Sequence, residues 1–507
     1  MRCVFLLFDS LNRHAVPPYG DRPSLKNFSA LATRSAVFDK HFVGSMPCIP
    51  ARREIHTGRL NFLHRGWGPL EPFDVSFADV LRNNNIYSHL ITDHYHYFED
   101  GGFGYHGRYD SYEFIRGQEK DKWRSMIVPG LGDYQEQFAE RQRDMSLDPN
   151  SKASYYANHR ALTESGAFPL SQCFDRAVDF LDEHAAVDNW FLHLECFDPH
   201  EPFFVGDEDP AGADPAQLGG KIFDWPAYGR NDLPEGDLAA LLTRYERLVQ
   251  RCDHELGRLM DTMTRLGMWD DTVLIVSTDH GLLLGEKDFL GKNRPPFFNE
   301  VAQIPLMIAA PPSLMPAPRR VPGLTQTIDL MPTFLDIFDI TPQQTVAGRS
   351  LLPAVAGSAD ATHEGVLFGQ FGAALNYTDG VSTVFLYPDA GHDALFQYTL
   401  MPTHMRTFFQ DIEFEGAALV ADVPYACGFP VLRLPMQQAA RANMVARYPL
   451  LDATDALYDL PSDPLQEHPL DDPGRMARCR AEIARLLEHH AAPREIYARF
   501  ALEAPAC

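Results

Sequence analysis

A run of five apolar residues, Val4–Phe8, lies close to the N-terminus and is followed at once by Asp9 and Ser10. An apolar run of this length that ends in polar residues is typical of a strand buried on both faces of a parallel sheet. The run is too short for a signal peptide, and no stretch of the sequence approaches the length of a membrane span. The sequence therefore predicts a buried strand that delivers Asp9 to the carboxyl edge of a sheet, where ligands collect.

Strands and helices alternate along much of the chain. The predicted strands are Tyr87–Thr92, Trp190–Leu194 and Thr272–Ser277, and the predicted helices are Ser24–Ala36, Phe77–Asn83, Gln172–His184 and Asp237–Leu266. Residues 100–165 have weak periodicity, which predicts a long loop or insertion near the entrance of a site. The alternation itself predicts an α/β fold with a mainly parallel sheet that helices cover on both faces.

The pattern changes after Pro353. A chain of 507 residues is too long for one ordinary core, so we expect two domains. The small and polar segment Ala354–Thr362 is a candidate linker; strands are predicted at Val366–Gln370 and Val381–Tyr387, and a last helix at Arg475–His489. We therefore predict a larger α/β domain over residues 1–360 and a smaller domain over residues 361–507, with an antiparallel sheet and a terminal helix.

Charge and cysteine content restrict the partners and the compartment. The chain has 44 Lys and Arg residues against 69 Asp and Glu residues, a formal net charge of -25, which argues against a nucleic-acid partner. An anionic ligand would have to be attracted by a local cluster of cations against the overall field. The 8 cysteines are scattered without metal-ligand spacing, which is typical of free thiols in a reducing compartment. We expect a cytoplasmic protein with no membrane partner.

The most distinctive motif is Cys48-Ile49-Pro50-Ala51-Arg52, with Thr57-Gly58-Arg59 a little further on. Taken alone, the first string fits a chance turn at the start of a helix equally well. Other candidate residues change that balance: Asp9, Asp279 and His280 follow predicted strands, and Lys292 lies in a Gly-Lys-Asn loop. Together they supply two carboxylates and an imidazole for a metal, and Arg52 and Lys292 supply two cations for an oxyanion.

These residues form part of an ordered series of motifs through which the chain resembles the sulfatases of the alkaline phosphatase superfamily, including their phosphonate monoester hydrolase relatives. The series comprises Asp9, Cys48–Arg52, Thr57–Arg59, Asp198–Pro202, Tyr245 with Asp253 and Gly257, Asp279–Gly281, Gly291-Lys292, Asp329–Thr333, Gly348–Leu351, Leu457–Leu460 and Asp463-Pro464. It covers nearly the whole chain. The resemblance implies a three-layer αβα sandwich with a large mixed sheet, like that of alkaline phosphatase, and a smaller C-terminal α+β domain.

The resemblance also implies a nucleophile. A maturation enzyme would convert Cys48 to formylglycine, which hydrates to a gem-diol. One hydroxyl, activated by the metal, would attack sulfur or phosphorus, and the second would expel the product by collapse to the aldehyde. Arg52 would hold the hydrated aldehyde, while Lys292 and His200 would bind the oxygens of the transferred group and help the leaving group to depart.

The metal ligands that the resemblance implies are Asp9, Cys48 through its oxygen, Asp279 and His280, around one divalent ion. Where many sulfatases have two successive Asp, this chain has Asp9 followed by serine, as in the phosphonate hydrolase branch. Fewer carboxylates make Mn²⁺ credible beside Ca²⁺.

The chain departs from the sulfatase pattern a second time at Thr92–His96. The family often has Gly-Lys-Trp-His there, but this chain offers His94 and His96 and no lysine. We assign one catalytic histidine role, to His96, and His94 and His96 fit equally well as neutral donors that line a pocket. Loss of the lysine would favour a monoanionic ester over a dianion.

The expected function is metal-dependent hydrolysis of a small-molecule sulfate ester with an aryl or alkyl leaving group. A phosphonate monoester or phosphodiester hydrolase with the same nucleophile is the runner-up, and one enzyme could do both. An inactive binding protein would keep the same fold, but the intact motif residues argue against it. A phosphotransferase or mutase would want Ser or Thr at position 48. Sulfatase-like enzymes often meet a neighbour through loops and tails, so a homo-oligomer fits the resemblance.

Overall fold

The first strand of the computed structural model confirms the apolar run. The structure describes residues 1–20, 25–125, 132–143, 149–205, 221–293, 297–342, 344, 346–389, 394–436 and 454–504. The first strand extends over Arg2–Phe8, and all of its residues are buried. It lies between two parallel neighbours in the largest sheet, which explains why no position in it is polar between the first residue and Asp9.

The strands of the first 340 residues form one large mixed sheet and also contribute to smaller sheets. They are β1 (Arg2–Phe8), β2 (Ala36–Phe42), β3 (Ser45–Met46), β4 (Tyr87–Thr92), β5 (Ser111–Phe114), β6 (Trp190–Cys196), β7 (Gly229–Arg230), β8 (Thr272–Thr278), β9 (Leu283–Leu284), β10 (Phe289–Gly291), β11 (Gln303–Ile304), β12 (Leu306–Ala309) and β13 (Arg319–Gln326). The large sheet has the order β11-β2-β12-β8-β1-β6-β4-β5, with β13 beside β2. The strands from β8 to β5 are parallel, whereas β12 is antiparallel to both of its neighbours.

Helices cover both faces of this sheet. The α-helices are α1 (Lys26–Ala32), α2 (Cys48–Thr57), α3 (Phe77–Asn83), α4 (Gly132–Gln135), α5 (Glu140–Arg143), α6 (Pro149–Ser165), α7 (Pro169–His184), α8 (Glu235–Arg265), α9 (Asn299–Ala302), α10 (Leu330–Asp336), α11 (Leu352–Ala356), α12 (Pro473–His489) and α13 (Arg494–Arg499). Side chains alternate across β1, so that Leu6 packs in a core with α1, α7 and α8, while Phe5 packs in another core with α2, α3 and α10. The predicted three-layer αβα sandwich is confirmed.

Asp253 has a structural task in the long helix α8. Its carboxylate accepts hydrogen bonds from the backbone N–H groups of Asn27 and Phe28, at 3.0 and 2.8 Å. These are donors of the first turn of α1, which have no partner within their own helix. Asp253 therefore caps α1 from another element and fixes that helix on the sheet.

The later strands form two separate sheets, and one of them reaches back to the segment before Cys48. They are β14 (Val366–Gln370), β15 (Leu375–Thr378), β16 (Ser382–Leu386), β17 (Phe396–Thr399), β18 (Ala418–Val420), β19 (Val431–Pro435) and β20 (Ala456–Asp459). The order β20-β16-β15-β14-β3 ends on β3, with Gly369 opposite Ser45. Residues 45–46 thus pair with the C-terminal sheet immediately before Cys48. The boundary at residue 360 stays a prediction.

Three segments differ from the sequence prediction. The 100–165 region was predicted as a long loop, but it contains β5 and the 17-residue helix α6. The candidate linker 354–362 begins inside α11, where Val355 is buried because it packs in the core shared with α10. The helix predicted over residues 24–36 is shorter, since α1 ends at Ala32 and Ala36 already begins β2; residue 24 lies outside the described residues. Within the described chain, no helix combines the length and apolar character needed to cross a membrane.

Candidate active site

Two aspartates meet at the carboxyl edge of the large sheet. Asp9 follows β1 and Asp279 follows β8; these strands are parallel, with Phe8 opposite Thr278. The chain turns at Ser10, whose backbone N–H donates to Asp279 Oδ1 at 3.1 Å and whose hydroxyl donates to Asp9 Oδ1 at 2.8 Å. Both carboxylates are completely buried. The strand register alone therefore brings together two residues 270 positions apart in the sequence.

Cys48 and His280 complete a cluster with these two aspartates. Cys48 begins α2, and its Sγ lies 3.3 Å from His280 Nε2. The potential ligand atoms of Asp9, Cys48, Asp279 and His280 all lie within 4.8 Å of one another. His280 Nδ1 donates to the Gly281 carbonyl at 3.0 Å, which leaves Nε2 as the nitrogen that faces the cluster. All the predicted metal ligands are thus in one place.

The protonation states fit a metal site. Burial lowers the pKa of His280, which favours the neutral imidazole that a metal requires. Burial acts to raise the pKa of Asp9, but the charges of Lys292, His200 and Arg52 outweigh it and hold that pKa well below its usual range. An ionised carboxylate and a neutral imidazole are suitable donors for a borderline divalent ion such as Mn²⁺, and the carboxylates also suit Ca²⁺.

The thiol of Cys48 is poorly suited to act as a nucleophile itself. Burial raises the pKa of Cys48 well above its usual value, and the negative charges of Asp9 and Asp279 raise it further. Lys292 and Arg52 act in the opposite direction without reversing the shift. Since the thiolate is the reactive form, the unmodified side chain stays largely protonated near neutral pH.

Arg52 ties the cluster together from one helical turn after Cys48. Its guanidinium donates to Glu195 Oε1 at 2.6 Å, to Asp279 Oδ2 at 2.6 Å and to Asp9 Oδ2 at 2.9 Å. Burial acts to lower the pKa of Arg52, but these three carboxylates raise it well above its ordinary value. The guanidinium is therefore a permanent positive charge that fixes α2 against the ends of three strands.

Glu195 is a site residue that the sequence analysis did not select. It lies on β6 one position before the strand ends, opposite Leu7 of β1, and its second oxygen accepts a 2.7 Å hydrogen bond from Tyr97. Burial raises its pKa, although the charge of Arg52 acts against that shift. The sequence does contain a signal for Glu195, because Glu195 is the acidic residue at the end of the strand that neighbours β1.

Lys292 faces the opposite side of Asp9. Its Nζ lies 3.7 Å from Asp9 Oδ1 and 3.4 Å from the hydroxyl oxygen of Ser10, and the side chain is buried. Burial acts to lower the pKa of Lys292, but the negative charges of the Cys48 thiolate form and Asp9 raise it. The lysine therefore stays charged beside the cluster, and its role as an oxyanion partner stays a prediction.

The three candidate histidines occupy different positions. His94 is the one beside the cluster, with Nε2 3.3 Å from Asp9 Oδ2. His96, to which the sequence analysis gave the catalytic role, instead bonds to Glu99 Oε2 through Nδ1 at 2.5 Å, and its ring centre lies 5.1 Å from that of His94. Its catalytic role stays a prediction. His200 is buried and its ring packs 4.2 Å from Phe197, with Nδ1 donating to the main-chain oxygen of Glu201.

Comparisons with known proteins agree with this geometry. The family model described as Sulfatase matches residues 2–340. The choline-sulfatase of Rhizobium meliloti is 27% identical over 387 residues, which are 70% of this chain and 71% of that protein. The multifunctional alkaline phosphatase superfamily protein PehA of Trinickia caryophylli is 27% identical over 385 residues, covering 68% of this chain and 74% of its own.

The fold is also shared with a solved structure. The phosphonate monoester hydrolase of Agrobacterium radiobacter superposes with a TM-score of 0.59 at 18% sequence identity, over 97% of this chain and 95% of that one. That likeness concerns the fold alone. The match of the family model to residues 2–340 is more specific, because it includes Asp9, Cys48, Asp279 and Lys292. The chain therefore belongs to the sulfatase family.

Proposed function

We propose that this protein is a metal-dependent hydrolase of sulfate esters whose nucleophile derives from Cys48. The observation that carries the proposal is the buried cluster in which the ligand atoms of Asp9, Cys48, Asp279 and His280 lie within 4.8 Å of one another. Two carboxylates, an imidazole and the side chain that would attack the ester thus share one small volume. Membership of the sulfatase family supports the sulfate ester as the substrate class.

Asp9, Asp279, His280 and the modified side chain of residue 48 would hold one divalent ion, Ca²⁺ or Mn²⁺. When bound, the ion supplies a Lewis acid that lowers the pKa of an adjacent oxygen and offsets negative charge. Arg52 keeps Asp9 and Asp279 turned toward one point through its bonds of 2.9 and 2.6 Å. Because the guanidinium already holds the two carboxylates in place, they do not have to reorganise when the ester binds.

We propose that a maturation enzyme converts Cys48 to formylglycine. The raised pKa of the Cys48 thiol supports this step, since an unmodified thiol would stay protonated and inactive. The hydrated aldehyde offers a hydroxyl, a harder nucleophile that suits a site with hard ligands. Arg52 Nη1 donates to the main-chain oxygen of Cys48 at 3.1 Å, so it also fixes the backbone from which the nucleophile projects.

Lys292 and His200 would bind the transferred group and the leaving oxygen. Lys292 is a buried cation within 3.7 Å of Asp9, and it offers N–H donors to the oxygens of a sulfuryl group as their charge develops. His200 has its Nδ1–H engaged by the Glu201 main-chain oxygen, so the imidazolium form would give its Nε2 proton to the leaving oxygen and become the neutral imidazole.

A phosphonate monoester or phosphodiester hydrolase activity at the same site is the second candidate. Ser10 stands where a second carboxylate would lie, and its hydroxyl donates to Asp9 while lying 3.4 Å from Lys292 Nζ. A serine at this position thus provides a neutral group where an aspartate would provide an anionic ligand. The relative called multifunctional supports a promiscuous site.

The deciding experiment joins mass spectrometry to a paired substrate assay. Protein made together with the maturation enzyme should yield a Cys48 peptide with the mass lost when CH₂–SH becomes an aldehyde, and it should release sulfate from an aryl sulfate. The Cys48→Ala variant, matched in fold, should do neither. An unmodified thiol in protein that still hydrolyses the ester would overturn the proposed nucleophile. Phenyl phosphonate esters, offered in the same assay, test the second candidate activity and compare its rate with that of sulfate ester hydrolysis.

We also propose a cytoplasmic location, on the ground of thiol chemistry. The cysteines of the described chain are all free, and all but Cys427 are buried. Free thiols in this number suit a reducing compartment.

A further inference from the structure

Glu201 differs from the other glutamates around the site in its partners. Among the residues that the structure describes, no lysine or arginine lies within ion-pair distance of Glu201, although its side chain is only 3% exposed. The neighbouring glutamates are each paired with a cation: Glu99 with Arg406 at 2.9 Å, Glu119 with Lys120 at 2.8 Å and Glu195 with Arg52 at 2.6 Å. A buried carboxylate is costly unless it is paired, so the exception calls for a partner.

The two carboxylate oxygens of Glu201 have unequal surroundings. Oε1 accepts a hydrogen bond from the hydroxyl of Tyr228. Oε2 is buried and has no hydrogen-bond partner in the described part of the chain. Nδ1 of His200 lies 3.5 Å from Oε2 but donates to the main-chain oxygen of Glu201 instead. One oxygen of a buried carboxylate is thus left for a donor that the described residues do not supply.

Glu201 accepts a hydrogen bond from Tyr228, whose ring packs against the residue before Lys292. The ring of Tyr228 is held against Gly291, since a Cβ added to that glycine would lie 2.6 Å from the ring. Gly291 immediately precedes Lys292, so Tyr228 connects Glu201 to the cation that would bind the transferred group. On its other side Glu201 contacts His200, the candidate donor to the leaving oxygen. Glu201 therefore borders the space where the leaving group would lie.

We propose that Glu201 binds a protonated amine on the leaving group, so that the substrates are sulfate esters of amino alcohols. The proposal rests on the proposed function and narrows its substrate class. An ammonium N–H matches what Oε2 lacks, and a charge-assisted bond there would satisfy the carboxylate. Such an ester is a zwitterion without net charge, so the field of a chain with net charge -25 does not repel it as it would repel a simple anionic ester.

The test compares two esters of nearly equal shape, 2-aminoethyl sulfate and n-propyl sulfate, in which a methyl group replaces the ammonium. We expect Glu201→Gln to lower the ratio of their kcat/KM values at least tenfold relative to the wild type. Taking the ratio within each enzyme cancels the different intrinsic reactivity of the two leaving groups. Glu119→Gln is the matched control, because Glu119 already has Lys120 as its partner, and it should leave the ratio within twofold.

Two results would overturn the proposal. If Glu201→Gln lowers kcat/KM equally for both esters, Glu201 only positions His200 or Tyr228. If the ratio stays at the wild-type value while activity is kept, the ammonium is bound elsewhere or not at all.

A binding measurement separates this proposal from the proposed function and does not depend on the folding of the glutamine variant. Calorimetry on the inactive Cys48→Ala protein, with Mn²⁺ present, should show at least tenfold tighter binding of 2-aminoethyl sulfate than of n-propyl sulfate. Equal affinities would overturn the ammonium site even if both esters are hydrolysed by the wild type. A wild type that releases sulfate neither from these two esters nor from an aryl sulfate, while Cys48→Ala keeps the affinity difference, would contradict the sulfatase function and leave the ammonium site standing.

Discussion

Arg52 Nη2 lies 2.9 Å from Asp9 Oδ2, so the helix that begins with Cys48 is bonded directly to the end of the first strand of the sheet. The same guanidinium bonds to Asp279 and Glu195 at the ends of the two neighbouring strands. A single side chain thus fixes the distance between the candidate nucleophile and two candidate metal ligands. Both the position of α2 and the charge balance of the buried carboxylates therefore depend on one buried cation.

Replacing Arg52 by methionine should lower the free energy of unfolding by about 3–5 kcal/mol, because it leaves buried carboxylates without their partner. Urea unfolding monitored by circular dichroism measures this loss. Arg265→Met is the control: that arginine also bonds to a carboxylate, Asp182, but both groups are exposed, and we expect no measurable change. A similar small effect of both substitutions would mean that the site relaxes around the missing guanidinium.

Binding of a divalent ion should stabilise the folded protein. If only the folded chain binds Mn²⁺ or Ca²⁺, an ion concentration a hundred times the Kd adds about 2.7 kcal/mol to the free energy of unfolding. Differential scanning calorimetry with and without chelator detects this as a rise in Tm. His280→Ala removes one of the four clustered ligands and should abolish most of the rise, whereas alanine in place of the exposed His254 should keep it. An equal rise in both variants would place the ion elsewhere.

Two buried aspartates should make the protein less stable as the pH rises. Burial raises the pKa of Asp93 to about 8, with the charge of Asp198 adding to the shift, and burial raises the pKa of Asp198 to about 6. Gln118 donates to both carboxylates, at 2.9 and 3.3 Å. In the unfolded chain both groups ionise near pH 3.9, so between about pH 4 and about pH 8 the folded state retains protons that the unfolded state has lost. The free energy of unfolding therefore falls across this window.

Substitution of Asp93 by asparagine tests whether the free energy of unfolding falls as the pH rises. The amide cannot ionise, so the variant should lose less unfolding free energy than the wild type between about pH 5 and about pH 9. Urea titrations at several pH values measure the two curves. Parallel curves for wild type and variant would show that Asp93 titrates alike in the folded and unfolded states.

The sequence predicted the elements that local pattern determines. Apolar runs such as Val4–Phe8 and the long amphipathic segment of α8 set their own structure, and the polar residues after each strand fall at one edge of the sheet because the strands are parallel. The cluster of Asp9, Cys48, Asp279 and His280 followed from those strand ends together with the family motifs. Local signals and family resemblance were sufficient for this part of the molecule.

Contacts between distant elements could not be predicted in the same way. That His94 and not His96 lies beside Asp9 depends on how the chain turns after β4, where a short 3₁₀ helix begins at Tyr95 and ends at Phe98. Whether a lysine or arginine reaches Glu201, which has neither as a partner among the described residues, depends on other elements, and sequence periodicity carries no information about that. Helix α6 was missed because its buried positions, such as Tyr155 and Leu162, lie among polar residues and give a weak periodic pattern.

Gly281 should be indispensable because its α-carbon touches another element. A Cβ at this position would lie 2.0 Å from the main-chain oxygen of Glu300, and the N–H of Gly281 donates to the Val301 carbonyl at 2.8 Å. Backbone cannot move aside as a flexible side chain can. Gly281→Ala should therefore cost about 1–3 kcal/mol of stability, as overpacking usually does.

The same substitution should also reduce activity, because the carbonyl of Gly281 accepts the hydrogen bond that orients His280. Even a small shift of a metal ligand loses affinity, so Gly281→Ala should need a higher Mn²⁺ concentration for half-maximal activity. Gly107→Ala is the matched control, since a Cβ there meets nothing within 4 Å, and it should change neither quantity. A Gly281→Ala enzyme that is destabilised but has the wild-type metal requirement would show that the 281–301 contact supports the fold without positioning His280.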